Sequence, residues 1–299
     1  MAAMNMSPFF HYNSNFDAQA VMKSHAISNL EADQRYLTNF LGVKIDPKFF
    51  PDILGGKAGQ IEPIPIPANW HADIAEWAAA LRAVDLSGQS FTVIELGCGW
   101  GCWLNNTGVA ARRTSRKPHL IGIEGDRGHI QFAREATATN GFYDSQVTLH
   151  HGIAAAKDGI ALFPHQERSG VNWGLEPVFG ASIVDRAKAK ISGKYDELPM
   201  ISLETAIGDR PRIDLLHIDI QGGEADLIKD SRPILKSKVA YILVGTHSRE
   251  IEGRIFESLR AEGWMLEIER PAILSLANGV PQVTVDGVQG WRNAKLLPF

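Results

Sequence analysis

The sequence predicts an α/β fold in which helices flank a doubly wound, mostly parallel sheet of seven strands. From about residue 70 onward, short apolar runs rich in β-branched residues alternate with segments of helical periodicity, the pattern of parallel strands joined by crossover helices. The clearest run, residues 91–94, leads through Glu95 into a turn with glycine at positions 97, 99 and 101. Glycines at every second position let a backbone bend sharply and let a ligand lie where a Cβ would collide. A helix expected over residues 102–111 directs its first N–H groups toward this turn.

Composition excludes several classes of protein. The 299 residues are 44% hydrophobic and 21% charged, with a formal net charge of −4, so we expect a folded chain without the basic field typical of nucleic-acid binding. Cys98 and Cys102 are too few for a structural zinc site, and we expect free thiols in a reducing compartment. Residues 1–16 lack signal-peptide features, and no apolar run approaches the roughly 18 residues of a membrane span. The expected location is the cytoplasm.

Residues 1–67 are predicted to form an N-terminal helical appendage, and residues 68–299 the ligand-binding domain. One or two short helices are expected within residues 17–41, before a proline-rich extended stretch. The appendage could be a lid or a dimerisation arm, or it could pack on the back of the domain. Asn69 is the expected N-cap of a helix over residues 70–84. His71 and Asp73 at its start are expected at the surface, with a position facing the cleft as the alternative.

The remaining strands are expected in regular order along the second domain. They are predicted over residues 119–124, 147–153, 213–220, 239–245 and 264–268, with a last strand near 282–288. Periodicity breaks down over residues 155–212, which are therefore interpreted as an insertion long enough to cover a cleft. Within it, Asp158-Gly159 indicates a hairpin. Trp173 is a candidate platform for a substrate, or a residue that packs the insertion.

The glycine turn distinguishes two kinds of nucleotide site. A dinucleotide fold requires G-x-G-x-x-G, but Cys102 occupies the position of the third glycine, which disfavours a nicotinamide-dependent dehydrogenase. An acidic strand end followed by G-x-G-x-G instead resembles the loop of class I S-adenosylmethionine-dependent methyltransferases. The second strand also ends on an acid, Glu124, and the carboxyl ends of parallel strands meet at one edge of a sheet.

Within that class the sequence resembles methyltransferases of the FkbM type. The resemblance covers about residues 91–264, and its most specific parts are residues 202–204 (Ser-Leu-Glu) and 213–224 (IDLLHIDIQGGE). Residues 157–163 and His247 are further similarities. The chain departs from the pattern at three positions. His217 stands where the family has lysine, Gln221 where it has glutamate, and Thr246 where it has an acidic residue.

The resemblance implies an enzyme that uses S-adenosylmethionine and releases S-adenosylhomocysteine. Glu124 would then accept hydrogen bonds from the ribose hydroxyls, and residues 151–154 would lie beside the adenine. The expected reaction is O-methylation of a sugar or another small secondary metabolite. The alternatives are an N-methyltransferase on a small molecule and an inactive cofactor-binding protein. The residues assigned to the cofactor are Glu95, Gly97, Cys98, Gly99, Gly101, Glu124, His151, Gly152, Ile153 and Asp219.

Catalysis is assigned to two residues that end neighbouring strands. His247 is the expected general base, and Asp219 would orient the substrate, the cofactor amino group or the imidazole. Alternatively, Asp219, Glu224 and His247 could hold a divalent cation that acidifies a diol. The expected partner is a small-molecule acceptor, without nucleic acid or membrane, and a homodimer is an option. The acceptor itself is left open, because its specificity is expected to lie in the appendage and the insertion.

Overall fold

A computed structural model of the chain describes residues 12–298. The strands are β1 (Asn13–Ser14), β2 (Leu37–Thr38), β3 (Lys44–Ile45), β4 (Ser90–Leu96), β5 (Lys117–Glu124), β6 (Val147–His151), β7 (Ile153–Ala155), β8 (Gly159–Pro164), β9 (Tyr195–Ser202), β10 (Leu215–Ile218), β11 (Tyr241–Thr246), β12 (Trp264–Arg270), β13 (Ile273–Ala277), β14 (Val280–Val285) and β15 (Gly287–Asn293). The helices are α1 (Ala18–His25), α2 (Pro51–Leu54), α3 (Ile74–Leu86), α4 (Cys102–Arg113), α5 (Arg127–Thr139), α6 (Ile183–Ser192), α7 (Leu203–Ile207), α8 (Glu224–Asp230), α9 (Arg232–Lys238) and α10 (Arg249–Ala261). No helix in this part of the chain is long and apolar enough to cross a membrane.

Eight strands form the central sheet, in the order β1-β12-β15-β11-β10-β4-β5-β6. Strands β11, β10, β4, β5 and β6 run parallel to one another, and β15 runs antiparallel to both β11 and β12. The predicted seven-stranded, mostly parallel sheet is therefore confirmed, with the two-residue strand β1 added at one edge. Strands β4, β5 and β6 follow one another toward one edge of the sheet, whereas β10 and β11 follow one another toward the opposite edge. The junction of β4 and β10 is thus the switch point at which ligands bind in open α/β sheets.

Two stretches that were predicted as strands of the central sheet belong partly to other sheets. Strand β6 ends at His151 instead of residue 153, because residues 153–155 form β7, which leaves the main sheet and pairs in parallel with β9. The predicted final strand, residues 282–288, is also displaced, since residues up to Val285 belong to β14, which pairs with β13 in a separate hairpin. Most residues of β14 are exposed, whereas every residue of β15 is buried. Strand β15, and not β14, is therefore the last strand of the central sheet, and its residues lie in the core.

The insertion builds a small three-stranded sheet, in the order β7-β9-β8. The hairpin predicted at Asp158-Gly159 is wrong, since β7 and β8 both pair with β9 and not with each other. The Asp158 carboxylate instead accepts hydrogen bonds from the Ser202 N–H (2.7 Å) and from the Thr205 hydroxyl (2.8 Å). These bonds tie the loop between β7 and β8 to the end of β9.

The N-terminal segment shares the core of the domain that follows it. Of the one or two helices predicted within residues 17–41, only α1 is present, and β2 pairs with β3 in place of a second one. Met22 and Leu41 are buried in the same hydrophobic cluster as Trp77 of α3. Residues 1–11, part of the predicted appendage and of the stretch without signal-peptide features, lie outside the described residues. The roles of lid and dimerisation arm stay predictions.

Helix α3 begins at Ile74 and not at residue 70. Asp73 is its N-cap, because its carboxylate accepts hydrogen bonds from the N–H groups two and three residues later. Asn69 closes the preceding turn and accepts from the His71 N–H at 3.0 Å. The preferred surface position of His71 and Asp73 is wrong, and the alternative is confirmed, because both residues line the cavity described below. Asp73 is also buried in an ion pair with Arg270.

Candidate functional site

The glycine turn after β4 packs directly against the end of β10. Gly97, Gly99 and Gly101 have φ values of +70°, +53° and +77°, which residues other than glycine rarely adopt. A Cβ at Gly97 would lie 2.1 Å from the backbone oxygen of Asp219, far inside contact distance. The turn therefore requires glycine at position 97, and its close approach fixes Asp219 relative to the turn.

The two acids at the strand ends hold the turn in shape. Glu95 is buried and accepts hydrogen bonds from two N–H groups in the first turn of α4, at 3.1 and 2.9 Å. Glu124 is also buried and accepts from the N–H groups of Gly99 and Asp126, both at 2.7 Å. Burial raises the pKa of each carboxyl group to about 7. A cationic ligand would favour the ionised form of both acids.

A cavity of about 1190 Å³ opens at this edge of the sheet. Small-molecule sites usually measure about 300–1,000 Å³, so this one has room for a nucleoside and a small acceptor together. Most of the predicted site residues line it: Glu95, Gly97, Cys98, Gly99, Glu124, Gly152, Ile153, Asp219 and His247. Gly101 and His151 do not. Gly101 is the N-cap of α4, and the Nε2 of His151 lies 3.1 Å from the Gly125 carbonyl oxygen.

Both cysteines adjoin the turn as buried free thiols. The prediction that Cys98 and Cys102 form no disulfide is confirmed. Burial raises the pKa of each thiol well above its usual range. Neither sulfur is therefore a thiolate at neutral pH, and neither is expected to act as a nucleophile.

The insertion places Trp173 over the glycine turn. Its indole is stacked between the rings of Phe50 (centroids 4.0 Å apart, 15° between planes) and His129 (3.7 Å, 5°). A Cβ at Gly99 would lie 2.8 Å from this indole, so the ring rests on the turn itself. The prediction of a stacking platform for a substrate is wrong, because both faces of the indole are covered. The alternative, a packing residue, is confirmed.

His247, one residue after β11, is held between two carboxylates. Its Nδ1 lies 2.9 Å from Glu224 Oε1 and its Nε2 lies 3.3 Å from Asp219 Oδ1, with Asp286 Oδ2 at 4.0 Å. Burial opposes the charged ring, but hydrogen bonds to Asp219 and Glu224 outweigh it and raise the pKa of His247 to about 10. Although burial also opposes ionisation of Asp219, His247 lowers the pKa of that carboxyl group. At neutral pH the pair is therefore an imidazolium and a carboxylate.

The same three residues could hold a divalent cation. One ligand atom from each of Asp219, Glu224 and His247 lies within 4.8 Å of the other two. Glu224 is fully buried, and its Oε2 has no hydrogen-bond partner among residues 12–298. Carboxylates and imidazole form a donor set that suits several divalent cations. A cation bound there would compete with the protons of His247, since both occupy the ring nitrogens.

The ion pairs of His247 should make stability depend on pH. Its folded-state pKa near 10 exceeds the ordinary 6.5, so between these values the folded protein holds one proton more than the unfolded chain. This stabilisation is complete below about pH 6.5 and is lost as the pH rises toward 10. In calorimetry, we expect the melting temperature to fall between pH 8 and pH 10 by several degrees more in the wild type than in His247→Gln. Equal falls would show that His247 is not held protonated.

A second cluster of polar side chains lines the cavity and was not predicted from the sequence. It consists of His71, Glu76, Trp100 and His217. The side chain of His217 is buried, and its Nε2 lies 3.5 Å from Glu76 Oε1. Although burial favours the neutral ring, Glu76 and Glu95 raise the pKa of His217. The one sequence signal for this cluster is His217 itself, which stands where the resembled family has lysine.

Comparison with known proteins shows similarity over most of the chain to a protein of Jannaschia sp. (strain CCS1) that bears the name "Putative methyltransferase". The two are 44% identical over 272 residues, which cover 91% of this chain and 97% of the relative. No protein-family model matches the chain.

Solved structures of methyltransferases are also similar at low identity. The precorrin-6Y C5,15-methyltransferase from Geobacter metallireducens GS-15 has 9% sequence identity and a TM-score of 0.39, over 71% of this chain and 86% of that one. Methyltransferase FkbM from Methylobacillus flagellatus KT has 12% identity and a TM-score of 0.44, over 73% of this chain and 54% of that one.

Proposed function

Because the chain belongs to the class I S-adenosylmethionine-dependent methyltransferases, we propose that it methylates a hydroxyl group of a sugar or another small secondary metabolite. The observation that carries this proposal is the pairing of Asp219 with His247 on the cavity. A hydroxyl group is a weak nucleophile and reacts faster when a positioned base removes its proton. The motif of residues 202–224 supports the finer assignment to the FkbM type.

The residues around the glycine turn fit the cofactor. When bound, S-adenosylmethionine supplies a methyl group on a sulfonium, which is already a strong electrophile. The buried carboxylates of Glu95 and Glu124 suit a ligand with positive charge. In our proposal Glu124 accepts hydrogen bonds from the ribose hydroxyls, and Gly152 and Ile153 lie against the adenine. Asp219 holds the amino group of the cofactor or orients the acceptor.

His247 is proposed to take the proton of the acceptor hydroxyl. It must first lose its own proton, because Asp219 and Glu224 keep the ring protonated at neutral pH. For a base with a pKa near 10, the active fraction rises about tenfold per pH unit below that value. We therefore expect kcat/KM for a hydroxyl acceptor to rise about tenfold from pH 7 to pH 8 and to level off near pH 10. Transfer of a radiolabelled methyl group measures this profile, and a flat profile would contradict the assignment.

Paired acceptors test the function itself. The purified protein is incubated with S-adenosylmethionine and with acceptors that differ in a single group, such as a methyl glycoside and the matching amino sugar. Mass spectrometry and NMR then locate the added methyl group. Methylation at oxygen alone supports the proposal, whereas methylation at nitrogen alone would assign an N-methyltransferase. Cofactor binding without transfer to any acceptor of either kind would favour an inactive binding protein.

Treatment with a chelator distinguishes a general base at His247 from a divalent cation bound at the same residues. If His247 acts as the base, the rate should be unchanged by EDTA. If Asp219, Glu224 and His247 hold a divalent cation, EDTA should abolish transfer and Mg²⁺ or Mn²⁺ should restore it. The alkaline rise in rate would then be absent, because a coordinated imidazole is already neutral.

The other expectations from the sequence stay predictions. They are the small-molecule acceptor, the lack of nucleic-acid and membrane partners, the cytoplasmic location, the homodimer, and the division at residues 67–68 with the insertion over 155–212. Light scattering on the purified protein measures the oligomeric state directly.

A further inference from the structure

We propose that His71, Trp100 and His217 form the subsite that binds the α-carboxylate at the amino-acid end of the cofactor. The proposal rests on the use of S-adenosylmethionine and not on the acceptor that the enzyme methylates. It gives a role to two histidines that neither the glycine-turn motif nor the proposed proton transfer uses.

Three ring nitrogens of these residues are buried without a hydrogen-bond partner among residues 12–298. They are Nε2 of His71, Nε1 of Trp100 and Nδ1 of His217. The other ring nitrogen of His217, Nε2, faces Glu76 Oε1 at 3.5 Å. Trp100 and His217 are only 2% and 3% exposed, so bulk water has little access to them. A buried donor left unpaired is destabilising, and native proteins contain few such groups. Their concentration in one place indicates a ligand that pairs with them.

The three side chains are neighbours in one compartment, in which His71 and His217 lie beside the indole of Trp103 and Trp100 lies beside His71. Ring centroids of His71 and His217 lie 5.8 and 5.7 Å from that of Trp103, and those of His71 and Trp100 lie 6.3 Å apart. All four residues line the cavity, where the ends of β4 and β10 meet the start of α3. Glu124, proposed to hold the ribose, ends the next strand of the sheet, β5. A cofactor lying across the glycine turn therefore extends its amino-acid end toward this compartment.

Charges of both signs make the compartment better suited to a zwitterion than to a neutral polyol. Glu76 Oε1 lies 3.5 Å from His217 Nε2, and Asp219 is close enough to act electrostatically on His71 and His217. Burial lowers the pKa of His71 to about 4, so its neutral ring offers one N–H donor. Carboxylates can bind the α-ammonium group while the ring N–H groups bind the α-carboxylate, in charge-assisted hydrogen bonds.

The subsite can be tested without turnover, by measuring calorimetrically the affinities of two ligands that share a nucleoside thioether. S-adenosylhomocysteine carries the amino-acid end, and 5′-methylthioadenosine lacks it. The variant His71→Phe keeps a ring against Trp100 and Trp103 and removes both ring nitrogens. We expect it to bind S-adenosylhomocysteine at least tenfold more weakly and 5′-methylthioadenosine within twofold of the wild type. The matched control His150→Phe, on β6 and off the cavity, should change neither affinity.

A second variant keeps the test decisive if phenylalanine disturbs the packing. His71→Asn restores an N–H donor and should recover part of the affinity for S-adenosylhomocysteine. Equal losses for the two ligands, or unchanged affinity for S-adenosylhomocysteine in both variants, would overturn the subsite. A wild-type protein that shows the expected difference but methylates no hydroxyl would refute the proposed O-methylation and leave the subsite standing.

Discussion

Replacing Gly97 by alanine should abolish cofactor binding and lower the melting temperature by at least about 5 °C. The alanine would be held at a φ of +70°, which costs a non-glycine residue about 1–2 kcal/mol. Its Cβ would also stand 2.1 Å from the Asp219 backbone oxygen, so the turn and the end of β10 must separate. That separation moves Asp219 away from the cofactor, and we expect affinity for S-adenosylhomocysteine to fall at least a hundredfold.

Gly88 supplies the matched control for this substitution. It is exposed just before β4, has no positive φ, and an added Cβ would meet nothing within 4 Å. Gly88→Ala should therefore leave both the melting temperature and the calorimetric affinity close to those of the wild type. If Gly97→Ala bound S-adenosylhomocysteine as tightly as Gly88→Ala does, the contact between the turn and Asp219 would not support the cofactor site.

The glycine turn and its acids could be predicted because they depend on residues close together in the sequence. Glu95 and the three glycines follow one apolar run, and Glu124 ends the next. Parallel strands bring such ends to one edge of a sheet regardless of the details of packing. For the same reason the cavity includes Asp219 and His247, each of which lies just after a buried strand.

The rest of the site depends on contacts between distant parts of the chain. His71 looked like a surface residue because periodicity began α3 too early, and the true N-cap, Asp73, is fixed by Arg270, 197 residues away. Trp173 could be recognised as unusual, but its neighbour Phe50 comes from the N-terminal segment and its neighbour His129 from α5. The protonation of His247 likewise depends on tertiary contacts with Asp219 and Glu224 that no local pattern reveals.

Removing the basic nitrogens of His247 should reduce kcat for a hydroxyl acceptor by about 10²–10⁴-fold, the usual contribution of a general base. Glutamine suits the test, because His247→Gln can still donate a hydrogen bond to the buried Glu224 but cannot take a proton. Affinity for S-adenosylhomocysteine should stay within about threefold of the wild type. His150→Gln, off the cavity, is the matched control and should keep full activity. Full activity in His247→Gln would rule out the base.

A second substitution distinguishes a base from a cation ligand, because the two predict opposite changes. Glu224→Gln removes one of the carboxylates that hold His247 protonated, so the pKa of His247 should fall. If His247 is the base, the alkaline limb of the pH profile moves to lower pH and kcat/KM at pH 7 rises. If Glu224 and His247 instead bind a divalent cation, the same change removes a ligand and kcat/KM at pH 7 falls. The direction of that single change therefore decides what the cluster of Asp219, Glu224 and His247 does.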